Sequence, residues 1–543
     1  MENAKCIGGI GQLLPKFVLW PIMQHYADRL AVVDGDKKFT YREMLERSFR
    51  LGNGLLDLGV KKGDHITVIM PNVHENIEAH YAIMGLGCTI VPLNTRLASE
   101  EILYMVNHSE SSGIIIDWEY THLVSPILDQ IENCRFIIIT SGGGKSSELQ
   151  GLDYEELLTK SSPDLVDLTI AEDEDMLCCI QYSSGTTDRP KGVMVSYRAA
   201  WMRMLQLLEW VRPTINDVYL HIVPFFHGQA WGAFWTIPRV GGVNVCLRYM
   251  DPGFILKMIR ENGVTCWCGA PTIANALRLH PDWEKTEWGK NPHIHLAGSP
   301  VPLPVVQAYE EKGIKVHHVY GITEWMFATY TSHISYLKEW DDFPLEKRVE
   351  LLGRQGISNY FANAKVVRED GTEVKKDGKE AGEIVLRGDF GMGGYWKNPE
   401  KTAEAVRDGW FHTMDAAVVE PDGYLVIVDR LKDMIISGGE NIGAAEIERV
   451  VGQHPAVAEV AVIGTPDEKW GEIPRAMIVL MENQSVTEKE IIDFSRERLA
   501  HYKCPKAVDF VDVIPKNAAG KVMKYALREP FWKGYDKIKR VKG

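Results

Sequence analysis

The sequence predicts an α/β protein, with a large N-terminal domain of layered α/β subdomains and a small C-terminal α/β domain. Three observations carry the prediction. The chain has 543 residues, which at ordinary domain sizes means roughly three to five domain-sized units. Over the first 240 residues, short apolar runs alternate with segments whose apolar residues recur every three or four positions. That alternation argues for helices layered on parallel strands. A second alternation begins near Asp433 and has the length of one small α/β domain.

The elements follow in order. Tyr41 to Leu58 reads as a helix, with Met44, Leu51, Leu55 and Leu58 on one stripe. His65 to Met70 reads as a strand closed by Pro71-Asn72, Asn76 to Met84 as a helix, and Cys88 to Val91 as the next strand. Gly113 to Ile116 and Phe136 to Ile139 are short Ile-rich strands. Thr140 to Gly151 is small and polar and reads as a surface loop; the charged, helix-like stretch Ser335 to Gly353 reads as a surface insertion. Gly382 to Arg387 and Tyr424 to Asp429 are strands. In the second unit, Ala444 to Gln453 and Thr487 to Leu499 are helices, and Val457 to Ile463 and Ala476 to Leu480 are strands.

Composition narrows the function classes. Hydrophobic residues at 45% and charged residues at 25% exclude a wholly disordered or fibrous chain. A net charge of -14 argues against a nucleic-acid partner. Nine cysteines, mostly inside apolar runs, suggest small buried hydrophobes in a reducing, cytoplasmic setting. Cys266 and Cys268 alternate about Trp267 and share one strand face, but no matching Cys/His pair follows at zinc spacing. The start lacks a signal-peptide pattern, and the apolar patch Phe17 to Met23 is broken by Pro21 and far too short for a transmembrane segment. Assembly is left open, a homodimer included.

The strongest chemical signal is Tyr182-Ser183-Ser184-Gly185-Thr186-Thr187-Asp188-Arg189-Pro190-Lys191-Gly192. Glycine lets backbone N–H groups approach an anion, hydroxyls donate further hydrogen bonds, and lysine supplies a point charge, as a polyphosphate clamp requires. No Gly-Lys-Ser/Thr occurs in this segment, so the Walker spacing does not fit it and the segment argues against an ordinary P-loop.

This segment resembles the phosphate loop of the adenylate-forming enzymes, the superfamily of acyl-CoA synthetases, luciferases and peptide-synthetase adenylation domains. The resemblance continues in order through Tyr320-Gly321-Ile322-Thr323-Glu324, through Gly394-Tyr395-Trp396 with Gly409 to Asp415, through Asp429 to Asp433 with Ser437 to Ile442, and through Pro515 to Lys521. With Pro92-Leu93-Asn94 upstream it covers nearly the whole chain, and it looks most like the medium- and long-chain fatty acyl-CoA synthetases.

The resemblance implies a domain of residues 1–430 that binds AMP and the acid, and a mobile domain of residues 431–543 that carries the catalytic lysine. It implies ATP, Mg2+ and coenzyme A acting on a small-molecule carboxylic acid. Ser183, Ser184, Gly185, Thr186, Thr187 and Lys191 would hold the β- and γ-phosphates. Tyr320 and Gly321 would lie at adenine, Thr323 at the α-phosphate, and Glu324 at Mg2+. Asp415 would take both ribose hydroxyls, with Arg430 assisting. Lys432 would be the hinge, and Lys521 would stabilise the adenylation transition state before the small domain rotates. Ser437, Gly438 and Gly439 would then line a tunnel for the CoA thiol. In the acid pocket, His227 would stand beside the carboxylate, Trp231 would gate an acyl tunnel, and Trp267, Gly298 and Ser299 would line the acyl side. Several aromatics there suit an apolar or aromatic acid, small to medium or fatty.

Four positions depart from the family pattern. Asp188, Met414 and Ala297 stand where glycine is usual, and Tyr197 stands in place of a histidine. Other readings stay open: a ligase loading a carrier-protein phosphopantetheine, a luciferase-like oxidoreductase, and a non-catalytic nucleotide-binding relative. Positive charge collects at the C-terminal end, where Lys516 to Gly543 holds nine basic residues against two acidic ones.

Overall fold

The computed structural model describes residues 22–141, 149–164, 174–183, 189–228, 230–299, 301–326, 328–330, 340, 342–358, 362–431, 433–437, 440–517 and 521–533. Within them the chain forms four sheets. The first, of seven strands, is ordered Leu152–Asp153, Phe136–Ile139, Gly113–Ile116, His65–Ile69, Thr89–Pro92, Leu177–Ser183, Lys191–Ser196. All its pairs are parallel except the last, in which Ser183 faces Lys191 across an antiparallel hairpin. The second, of nine strands, has a parallel centre running from Lys315–Tyr320 through His293–Ala297, Cys266–Gly269, Val218–Leu220 and Val243–Val245 to Leu30–Asp34. The alternation in the sequence thus becomes the layered α/β arrangement it predicts.

The helix His74–Gly85 is buried at every position, and its residues join the same apolar cluster as strands of both sheets. A helix enclosed on all sides needs apolar residues all round, or paired polar ones. Here Glu78 is held by Arg47 at 2.7 Å and by the Tyr154 hydroxyl at 2.7 Å, and His74 meets Asp34 at 2.7 Å. The helix Tyr41–Asp57 packs beside it and starts in a capping box, Thr40 with Glu43.

The third sheet joins Ala362–Val367, Gly382–Gly388, Trp410–Val419 and Val406–Arg407, with Leu425–Arg430 on the long Trp410–Val419 strand. The fourth joins Glu440–Ile442, Ile435–Ser437, Gly471–Leu480, Val457–Asp467 and Ala507–Phe510. It has its own apolar core, built by Ile435, Ile447, Val451, Val462, Ile478 and Ile491.

One expectation changes. The stretch from Ser335 is not a surface appendage where it is described: Trp340 is buried, and the helix Leu345–Leu352 turns Val349, Leu351 and Leu352 into a core shared with Val305 and Tyr309. Its charged residues occupy the outer face, and these dominate the sequence impression. Most of the polar Thr140 to Gly151 segment lies outside the described residues.

Candidate active site

An open cleft of about 3230 Å³ runs between the nine-stranded sheet, the third sheet and the fourth. Strand ends deliver its polar residues. Ser183 closes one strand of the antiparallel hairpin and Lys191 opens the other, so both reach the cleft. Ser184, Gly185, Thr186, Thr187 and Asp188, which join them, lie outside the described residues. Tyr320 ends the strand Lys315–Tyr320, and Gly321, Thr323 and Glu324 follow in the next turn.

Tyr320 and Asp415 meet although 95 residues separate them: the Tyr320 hydroxyl donates to Asp415 Oδ2 at 2.8 Å. Asp415 Oδ1 lies 3.3 Å from Arg430 Nε, because the two residues are register partners on adjacent antiparallel strands. The carboxylate is thereby fixed at the cleft wall with its charge partly balanced. Met414, just before it, has φ 60, a left-handed conformation that a Cβ disfavours by about 1–2 kcal/mol. The glycine usual at this position has a backbone reason, and Met414 tolerates the strain with its side chain turned to solvent.

Glu324 Oε1 accepts a hydrogen bond from the Tyr395 hydroxyl at 2.8 Å. Burial, and then the Glu324 charge, raise the Tyr395 pKa, so the phenol stays a donor. The Lys191 ammonium lies 5.0 Å from the centre of the Tyr395 ring. Tyr395 is placed by the turn at Gly394, whose φ of +120 excludes side chains, and by its own N–H donating to Thr402 Oγ1 at 2.9 Å. Sequence motifs include Tyr395 without assigning it a role. A tyrosine in a Gly-Tyr-Trp run carries no mark of a carboxylate partner 71 residues away.

His227 sits in a tight turn, its N–H donating to Pro224 O at 2.8 Å, and it half-faces the cleft. Desolvation, and then the charge of Lys521, push its pKa down to about 4, so the imidazole is neutral near pH 7. The Ala230 N–H, at the start of the short helical turn Ala230–Gly232, donates to the His227 carbonyl at 3.1 Å. The Trp231 side chain lies outside the described residues.

Lys521 enters the cleft from the far end of the chain. Its N–H donates to Asn517 Oδ1 at 2.9 Å and its carbonyl accepts from Asn517 N at 2.8 Å, which ties the two residues together. Lys521 is exposed to the solvent of the cleft, yet both domains crowd it. Desolvation and then Arg430 lower its pKa, Asp415 and Asp433 pull it back up, and it settles at about 8. The segment behind it is tied across the cleft. Lys524 Nζ lies 2.9 Å from Glu448 and 3.8 Å from Asp429, and Arg528 lies 3.1 Å from Asp433. Lys516 meets Glu459 at 2.7 Å. Three of the nine C-terminal basic residues, Lys516, Lys524 and Arg528, are thus engaged in ion pairs around the segment that carries Lys521.

Ala297 ends the strand His293–Ala297, Gly298 and Ser299 follow it, and all three line the cleft, with Gly298 at φ +93. Trp267 does not line it. Strand alternation sends Cys266 and Cys268 to one face and Trp267 to the other, where it is fully buried with Ile222, Val305 and Tyr309. It is a core aromatic, not an acyl-side residue. Spacing along the chain also missed His293 and His295, whose ligand atoms the neighbouring strand brings within 4.8 Å of the Cys266 thiol. Burial drives that thiol far up in pKa, and it behaves as a small buried hydrophobe. Tyr197 likewise serves the structure, its hydroxyl donating to Met84 O at 2.7 Å. Ser437 pairs in the fourth sheet with Gly471, and the cleft beside it is lined by Ile436 and Gly471. Lys432, Gly438 and Gly439 lie outside the described residues.

A family profile described as "AMP-binding enzyme" matches residues 20–396, and one described as "AMP-binding enzyme C-terminal domain" matches residues 446–521. The chain is similar to a 4-hydroxybutyrate–CoA ligase of Metallosphaera sedula, 38% identical over 95% of this chain and 94% of the relative. It is 37% identical to a 2-methylpropanoate–CoA ligase of Humulus lupulus, over 93% of this chain and 92% of the relative. Among solved structures, ATP-bound MatB from Rhodopseudomonas palustris superposes with a TM-score of 0.83 at 27% identity, covering 96% of this chain and 99% of that one. Among the described residues no helix is long and apolar enough to cross a membrane.

Proposed function

The chain belongs to the AMP-binding, adenylate-forming enzyme family and is an acid–CoA ligase, and on that premise we propose how its own residues run the two half-reactions. The observation that carries the reading is the meeting of Lys521 with Asp415, Arg430 and His227 in one cleft. Residues 1–430 form the binding domain and residues 431–543 the switching domain.

In the first step Tyr320 lies at adenine, and Asp415 accepts hydrogen bonds from the ribose hydroxyls while Arg430 and the Tyr320 hydroxyl hold it still. Ser183, Lys191 and the loop between them hold the outer phosphates, and Thr323 the α-phosphate. A carboxylate oxygen of the acid, beside neutral His227, attacks the α-phosphorus. A P–O bond forms to the acid, and the P–O bond to pyrophosphate breaks. Negative charge grows at the α-phosphoryl oxygens, and the Lys521 cation offsets it without transferring a proton. Glu324, oriented by Tyr395, offers the hard oxygen that Mg2+ prefers beside phosphate oxygens, and the ion would neutralise phosphate charge there.

In the second step the CoA sulfur attacks the acyl carbon, and the C–O bond to AMP breaks. Lys521 is not needed then. We assign Lys432 as the hinge, and Ser437, Gly438 and Gly439 to the thiol path. The names of the relatives support a small acid, short of fatty length. The eight described cysteines are all free thiols, which supports a cytoplasmic setting.

The test is a panel of carboxylic acids offered with ATP, Mg2+ and either free CoA or a phosphopantetheinylated carrier protein. Acid-dependent AMP formation stimulated by free CoA is expected. Stimulation by the carrier alone would overturn the acceptor assignment.

A further inference from the structure

Arg203 lies on the helix Tyr197–Val211 and is 0% exposed. A buried guanidinium keeps its charge only at a large desolvation cost, so it is normally paired. This one is not paired with a carboxylate among the described residues. Its Nη1 makes one long contact, donating to Gln181 Oε1 at 3.5 Å. Its Nε and Nη2, and the Nε2 of Gln181, have no hydrogen-bond partner among the described residues. Burial lowers the Arg203 pKa to about 10, with Cys179, Cys178 and Glu324 drawing it back up, so the group is still a cation near pH 7.

Its place is the wall behind the acid site. Gln181 stands two residues before Ser183 on the strand Leu177–Ser183. Gly228, next to His227, lines the cleft; a Cβ there would lie 3.5 Å from Gln181 Oε1 and 3.5 Å from Met326 Sδ. Gly228 and Met326 line the cleft, and Gly228 is close to Gln181; Gln181 and Arg203 are themselves buried behind that wall and do not line the cleft. The Glu324 charge is near enough to act on Arg203. The two unpartnered nitrogens are the side-on edge of the guanidinium, whose parallel N–H groups match the two oxygens of one carboxylate.

We propose that Arg203, with Gln181, grips a second carboxylate at the far end of the acid, so that the substrate is a small dicarboxylic acid activated at one end only. The inference rests on the acid–CoA ligase reading and sharpens it. It competes with the apolar or aromatic acid that the resemblance implies and that relatives named for 2-methylpropanoate, cinnamate and butyrate share: a monocarboxylic acid would leave a buried cation and a buried amide without partners, and an active site built to bind such groups discriminates strongly against a substrate that lacks them.

The experiment compares matched acids in CoA-dependent AMP formation: butyrate, 4-hydroxybutyrate and succinate, then pentanoate and glutarate. Wild type should show kcat/KM at least about tenfold higher for the diacid than for the monoacid of equal length. Arg203→Met should reverse that ratio, and Arg203→Lys should keep part of it. Because each ratio is taken within one enzyme, loss of folded protein cancels. Preference of the wild type for the monoacid or the hydroxy acid overturns the proposal, as does a diacid-to-monoacid ratio left unchanged in Arg203→Met. Turnover of monoacids alone leaves the ligase reading standing while the dicarboxylate assignment falls; no AMP with any acid removes both.

Discussion

Raising the pH from 7 to 9 should switch off adenylation while sparing thiolysis. Lys521 has its pKa lowered to about 8 by desolvation and by Arg430. For a lysine with a lowered pKa, the cation is present below that value and lost above it. The charged fraction then falls from about nine-tenths at pH 7 to about one-tenth at pH 9, and adenylation should fall roughly tenfold with it. Pyrophosphate release at limiting ATP reads this limb, because kcat/KM reports groups of the free enzyme. Thiolysis of a supplied acyl-adenylate should not fall, since a thiol becomes a better nucleophile as it ionises. Lys521→Arg stays charged throughout, so its slower adenylation should lack the basic limb. Lys521→Ala should lose about 10²–10³ in adenylation, the range for removing one stabilising donor or charge, and keep thiolysis. A basic limb that survives in Lys521→Arg, or equal loss of both half-reactions in Lys521→Ala, refutes the assignment.

Two further substitutions test the site's supports. Tyr395→Phe removes a hydrogen bond to a carboxylate, worth about 1.5–3 kcal/mol, so adenylation should slow by roughly 10- to 100-fold and the Mg2+ requirement should rise; an unchanged Mg2+ titration would remove Tyr395 from the site. Trp267→Ala should cost about 3–5 kcal/mol and lower Tm while leaving the ranking of acids unchanged; a changed ranking at an unchanged Tm would return Trp267 to the acyl pocket.

What the sequence made legible was dense local chemistry. Ser183 to Lys191, Thr323-Glu324, Asp415 and Lys521 each sit in short runs whose residue types are costly to place together without an anion to bind. The layered α/β fold was legible too, because apolar periodicity reports which face of each element is buried. Strand parity was not. The sequence puts Trp267 opposite Cys266 and Cys268 but does not say which face looks into the cleft. Partners far apart in the chain were also hidden. Nothing local marks Tyr395 for Glu324, Lys524 for Glu448 and Asp429, or Arg528 for Asp433. Arg203 was the best concealed, one basic residue in an amphipathic helix, where the ordinary expectation is a solvated face. Only packing shows that the arginine points inward.

The central claim is that the acid is activated by bonding its own oxygen to the α-phosphorus. The direct measurement uses a substrate acid labelled with 18O in its carboxylate, turned over with ATP and CoA, with mass analysis of the AMP. The account predicts one 18O transferred into each AMP formed. AMP without label, or label appearing in inorganic phosphate or pyrophosphate, would contradict it.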